Sequence, residues 1–164
     1  MPRSSRWTLP PWSQAVLAVL ACEAVGLLAG WGTQASVRTW YPTLVKPSFT
    51  PPGWLFAPVW TVLYALMGIA AFLVWKGRTE DTESQQALVL FAGQLVLNGA
   101  WSFAFFGARS PILGLIVITA LWGMVVWTTD RFFRVRRVAG ALLVPYLAWV
   151  TYAWALNVGI WLLN

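Results

Sequence analysis

The stretch Trp40-Tyr41-Pro42-Thr43-Leu44-Val45-Lys46-Pro47-Ser48-Phe49-Thr50-Pro51-Pro52-Gly53-Trp54-Leu55-Phe56-Ala57-Pro58-Val59-Trp60 decides how the rest of the chain is read. Pro42, Pro47, Pro51 and Pro52 each remove a backbone donor and turn the preceding residue toward extended conformations, so no regular element runs through it. Yet it is crowded with aromatic rings, and Lys46 is its only charge. Two readings stand on local chemistry alone. The rings can sit at headgroup depth as interfacial packing, or the stretch can be a semi-rigid lid over a flat, hydrophobic, anionic ligand, running into an apolar helix.

Around it the chain is strongly apolar. It has 164 residues, 59% hydrophobic and 10% charged, with 13 tryptophans and a mean hydropathy of +0.67. That places it among integral membrane proteins and outside the soluble globular range. The net charge of +6 lies in short segments between apolar runs, so it reads as a topological signal and not as a nucleic-acid footprint. There is no histidine, which removes His-ligated haem, His-rich zinc sites and a Ser-His-Asp triad together. No metal site and no resident cofactor are expected. Cys22 is the single cysteine and forms no intramolecular disulfide.

Five apolar runs cover about residues 12–31, 54–75, 87–108, 112–128 and 138–163, each near the ~20 residues that carry a helix across the bilayer. The expected fold is therefore an all-α membrane protein, a single five-transmembrane-helix bundle with a long structured first loop at 32–53. Arg3 and Arg6 precede the first run, and Val19-Leu20-Ala21-Cys22 loosely resembles a lipoprotein cleavage box, but the run continues past Cys22, so it is read as an uncleaved first span.

Positive charge sets the orientation. Arg3, Arg6, Lys76, Arg78, Arg131, Arg134, Arg136 and Arg137 fall on one side, against Arg38, Lys46 and Arg109 on the other. The expectation is a cytoplasmic N-terminus, an outside C-terminus and the aromatic loop on the outer face. Glu80, Asp81 and Glu83 beside Lys76 and Arg78 read as a solvated turn.

Helix periodicity shows where a site can be built. Gln94, Asn98, Trp101 and Phe105 share one face of the third span; Tyr146, Trp149, Ala153 and Asn157 recur along the fifth; Phe56, Trp60 and Tyr64 along the second. Amides in a membrane need partners, so Gln94, Asn98 and Asn157 are expected to face the interior, as glue between helices or as part of a site. Ala18, Cys22, Gly26 and Gly30 form a small-residue stripe suited to close helix approach, within the bundle or across a dimer. Glu23 lies mid-span, where a carboxylate costs roughly 3 kcal/mol, so it is either functional or a neutral hydrogen-bonding group.

The pattern Trp40-Tyr41-x-x-Leu44-x-Lys46-Pro47-x-x-x-Pro51-Pro52-x-x-x-Phe56-x-x-x-Trp60, with Asn98 and Trp101 and then Pro145-Tyr146-Leu147-x-Trp149, resembles the translocator protein family, also called tryptophan-rich sensory proteins or peripheral-type benzodiazepine receptors. The resemblance covers nearly the whole chain. It implies a five-helix bundle, often a homodimer, binding porphyrins and synthetic aromatic ligands in a pocket under the first loop. On this resemblance Tyr41, Trp60, Asn98, Trp101, Trp149 and Ala153 are ligand-binding positions, with Pro47 in the lid. Arg38 or Lys46 can meet a porphyrin propionate. The cholesterol motif of animal members is not matched, since no basic residue follows Asn157 to Trp161.

The implied function is a membrane receptor or regulator of protoporphyrin IX-type tetrapyrroles and aromatic ligands, with the lipid bilayer as partner and no nucleic acid. The alternatives are a light-dependent porphyrin-degrading enzyme, with Trp60 and Trp149 as its candidate catalytic residues, and a tetrapyrrole transporter. A lesser alternative is a proton-coupled exporter of aromatic cations that uses Glu23.

Overall fold

Apolar runs of membrane-crossing length become helices because every backbone polar group is then paired within its own segment. The computed structural model describes residues 10–77 and 82–164. It contains five long helices: α1 (Pro11–Thr39), α2 (Phe56–Gly77), α3 (Thr82–Ser102), α4 (Pro111–Val135) and α5 (Arg137–Leu163). All five are long and apolar enough to span a membrane. Pro11 and Pro111 open α1 and α4 at positions where a backbone N–H would have no partner. Ser110 caps α4, its hydroxyl accepting from the Leu113 N–H at 3.3 Å.

Helix ends differ from the apolar runs in two informative places. α1 continues past Trp31 to Thr39, and its polar side chains find partners within the helix: Thr33 Oγ1 donates to the Ala29 carbonyl and Thr39 Oγ1 to Ala35, both at 2.8 Å. The first connection therefore begins at Trp40 and not near Gly32, and it holds short 3-10 turns at Tyr41–Thr43 and Gly53–Leu55. α4 likewise runs past Thr128 to Val135, helped by the i,i+4 ion pair of Asp130 with Arg134 at 2.9 Å. Only Arg136, in extended conformation, separates α4 from α5. The basic cluster 131–137 therefore rides on helix ends.

The helices pack as a ring in the order α1, α2, α5, α4, α3 and back to α1. Small residues set the tightest contact: a Cβ at Gly68 would lie 2.5 Å from the Val19 Cα, and one at Gly26 would fall inside the Tyr64 ring. The small-residue stripe of α1 is thus used within the bundle at Cys22 and Gly26, while Gly30 faces open space. Lys76, Arg131, Arg134, Arg136 and Arg137 gather at one end of the bundle and Arg38, Lys46 and Arg109 at the other. Arg3, Arg6, Arg78, Glu80 and Asp81, and with them the N-terminal signal reading, lie outside the described residues.

Candidate functional site

The chain from Trp40 to Pro52 is a structured loop held against α5. Asn164 accepts from the Val45 N–H at 3.0 Å and donates to the Val45 carbonyl at 2.9 Å. Tyr152 donates to the Phe49 carbonyl at 2.7 Å. Pro47 is buried on Gly159, where any Cβ would collide with its ring. Prolines lower the entropy lost in ordering such a loop.

Beneath the loop lies a cavity of about 600 Å³ between α1, α2, α3 and α5, within the range that holds a drug-sized ligand. Trp60 and Phe56 of α2 form one wall, and Trp101, Phe105 and Phe106 face it from the end of α3. A π-turn at Phe103–Gly107 follows α3, closed by the Ala108 N–H on the Phe103 carbonyl at 2.7 Å. π-turns re-aim side chains and recur at functional sites. Here the turn accompanies a ring cluster: Phe105 stacks on Trp101 at 5.6 Å, and Phe106 meets Tyr41 edge-on at 5.5 Å. Ala153 of α5 and Gly26 and Gly30 of α1 complete the wall with little volume of their own.

Polar groups converge on the same cavity. Tyr64 donates to Asn98 Oδ1 at 2.5 Å, Asn98 Nδ2 donates to the Tyr146 hydroxyl at 3.0 Å, and Tyr146 donates to Gln94 Oε1 at 2.8 Å. This chain ties α2, α3 and α5 together, and Asn98 and Gln94 are 3% and 1% exposed. Asn98 lines the cavity with one N–H and one lone pair beyond those bonds. Asn157 accepts from the Trp101 indole N–H at 3.2 Å and donates to the Pro111 carbonyl at 2.8 Å, which fixes the plane of Trp101. All three amides face the interior.

This arrangement of loop, cavity and amides can now be set beside known proteins. The profile of the TspO/MBR family matches residues 18–162. The chain belongs to the TspO/MBR family. It is 46% identical over 148 residues to the tryptophan-rich protein TspO of Chlorobaculum tepidum, covering 90% of this chain and 94% of that one. It is 38% identical over 153 residues to the translocator protein of Homo sapiens, covering 93% and 90%. With the tryptophan-rich sensory protein of Cereibacter sphaeroides it shares 38% over 146 residues, covering 89% and 88%.

In this TspO/MBR protein five of the positions singled out from sequence, Tyr41, Trp60, Asn98, Trp101 and Ala153, share the cavity wall. Trp149 and Pro47 do not reach it. Trp149 stands one ring behind, edge-on to Phe56 at 5.9 Å, and its indole N–H is buried without a hydrogen bond. Pro47 acts through its seat on Gly159. The Lys46 ammonium donates to the carbonyls of Leu44 at 3.0 Å and Pro42 at 3.4 Å and lies 4.8 Å from the centre of the Tyr41 ring. Arg38 is exposed on the last turn of α1, outside the wall. Burial, and secondarily the neighbouring Tyr152, raises the pKa of Tyr41.

The sequence carried no signal for Gln34 or Phe106, and marked Gly30 only as part of a helix-approach stripe, yet all three line the cavity. Gln34 falls on the cavity face of α1 because the helix continues beyond Trp31. Phe106 reaches it only through the π-turn.

Proposed function

We propose that this TspO/MBR membrane protein is a receptor for tetrapyrroles of the protoporphyrin IX type and for other flat aromatic ligands, bound in the cavity beneath the first loop. The observation that carries this reading is the wall itself. Trp60 and Trp101 stand with small Ala153 and Gly30 around one space of about 600 Å³. Indoles offer stacking faces, small residues leave room for a plate, and Asn98 can bond a polar edge. Propionates belong at the loop end, where Arg38 and Lys46 lie. The relatives' names, sensory protein and translocator protein, fit a protein that answers to or passes on a small molecule. On the charge count the loop faces outside and the N-terminus the cytoplasm. The working assembly on this reading is a homodimer.

The test is titration of purified protein with protoporphyrin IX, read by quenching of tryptophan fluorescence. Saturable quenching is expected. Trp60→Ala weakens it about tenfold or more, as loss of ~1.4 kcal/mol of stacking requires. Trp149→Ala has the smaller effect, because Phe56 stands between its ring and the ligand. Absence of saturable quenching in folded protein refutes the proposal.

A further inference from the structure

Among the described residues Glu23 is the one charged side chain on the cavity wall, and no lysine or arginine shares that wall. It lies 14 residues before Val37 on the same lined face of α1, so the cavity extends about 21 Å along the helix with Glu23 at its inner end. Its carboxylate makes no hydrogen bond and no ion pair with any described residue. The cations at the outer end do not reach it: Lys46 is bonded to loop carbonyls, and Arg109 Nε donates to Ser36 Oγ at 3.4 Å. An uncompensated carboxylate in mid-span costs roughly 3 kcal/mol, which a bound counter-charge offsets.

The neighbouring groups are aromatic. One turn along α1, Gly26 lies against the Tyr64 ring, and Tyr64 in turn sits beside Trp60 with ring centres 5.4 Å apart. All of them line the same cavity. A carboxylate with phenol and indole faces close by is the chemistry that receives an organic ammonium, by charge pairing and by attraction to ring faces.

We propose that Glu23 makes the inner end of the cavity a subsite for a protonated nitrogen carried by a flat aromatic ligand. The proposal rests on reading this cavity as a ligand site. It sets a polarity along the site: cationic ends inward at Glu23, anionic ends outward at the loop.

The test uses full-length protein in an uncharged detergent and ligands of one ring shape. These are 9-aminoacridine, which is protonated at neutral pH, acridine, which is neutral there, and acridine-9-carboxylate. The wild-type protein is expected to bind 9-aminoacridine at least tenfold more tightly than acridine, and acridine-9-carboxylate at least tenfold more weakly. Glu23→Gln, checked for folding by its melting curve, is expected to bring the first ratio close to one. Equal affinities in the wild-type protein, or a preference that survives Glu23→Gln, overturn the proposal. A separate titration of the wild-type protein with protoporphyrin IX keeps the two readings apart. If protoporphyrin fails to bind while the Glu23-dependent preference is present, the tetrapyrrole reading falls and the cation subsite stands.

Discussion

Tyr146→Phe isolates the amide network that runs from the cavity wall at Tyr64 and Asn98 into the bundle core. Tyr146 is 1% exposed, and its hydroxyl both accepts from Asn98 and donates to Gln94, so the variant breaks two interhelical bonds and takes a partner from the buried Asn98 N–H and the buried Gln94 Oε1. Interhelical side-chain bonds in membranes average ~0.6 kcal/mol and reach ~1.7, so two of them, fully buried, predict a loss of about 2 kcal/mol. At ~2–4 °C per kcal/mol for a chain of this size, the melting temperature should fall by roughly 4–8 °C. The chain supplies its own probe: Cys22 is the only cysteine and is 2% exposed, so a thiol-reactive dye that fluoresces on coupling reports unfolding directly. Asn98→Leu combined with Tyr146→Phe should cost less than the sum of the single changes, since the two residues share a bond. A Tyr146→Phe protein melting within about 1 °C of wild type would refute the claim that this network holds α2, α3 and α5 in register.

Ala153→Phe places a ring where the wall presents only a methyl group and should weaken binding of flat ligands at least tenfold, checked by fluorescence quenching, with folding intact by the dye melt. Gly159→Leu drives a side chain into Pro47, so hydrogen exchange of residues 40–52 should accelerate about tenfold or more while the helix cores keep their protection. Tyr41 has its pKa raised in the folded protein by burial and then by Tyr152. Its contribution to stability is full below the unfolded value of 10.0 and lost as pH rises through the higher folded value. Melting temperatures measured across that alkaline window should therefore fall more steeply in the wild type than in Tyr41→Phe.

The bundle was legible in the sequence because a bilayer leaves few options: five apolar runs with no alternation admit five helices. Helix ends were less legible. The polar residues from Gly32 to Arg38 look like loop, yet in α1 they are helical, with the Thr33 and Thr39 hydroxyls satisfied by carbonyls one turn back. Composition records hydropathy, not whether a hydroxyl has a local partner. The same holds for Thr128 and Thr129, which donate to Met124 and Val125 at 2.7 Å and carry α4 beyond its apolar run. The amide faces, by contrast, followed from spacing, because an amide in a membrane has no water and must find its partners inside the bundle, here tyrosine hydroxyls, the Trp101 indole and the Pro111 carbonyl.

For the site, periodicity placed rings on faces but did not give their order in depth. Phe56 and Trp60 share a stripe of α2, and Trp149 and Ala153 share one of α5, yet Phe56 stands between Trp149 and the cavity while Ala153 opens onto it. Which of two rings comes first depends on helix separation, and that is set by contacts such as Gly68 on Val19, between residues far apart in the chain. Glu23 shows the same limit. Its mid-span position marked it as unusual, but only the approach of Tyr64 over Gly26 puts it in the same cavity as Trp60 and Asn98. The consequence is chemical. Among the described residues no cation stands on the wall and Glu23 is its one carboxyl group, while Lys46, bonded to the loop's own carbonyls, and Arg38 lie at the loop end. On the reading proposed above, a ligand with two propionates lies with its carboxylates toward the aromatic loop, away from Glu23.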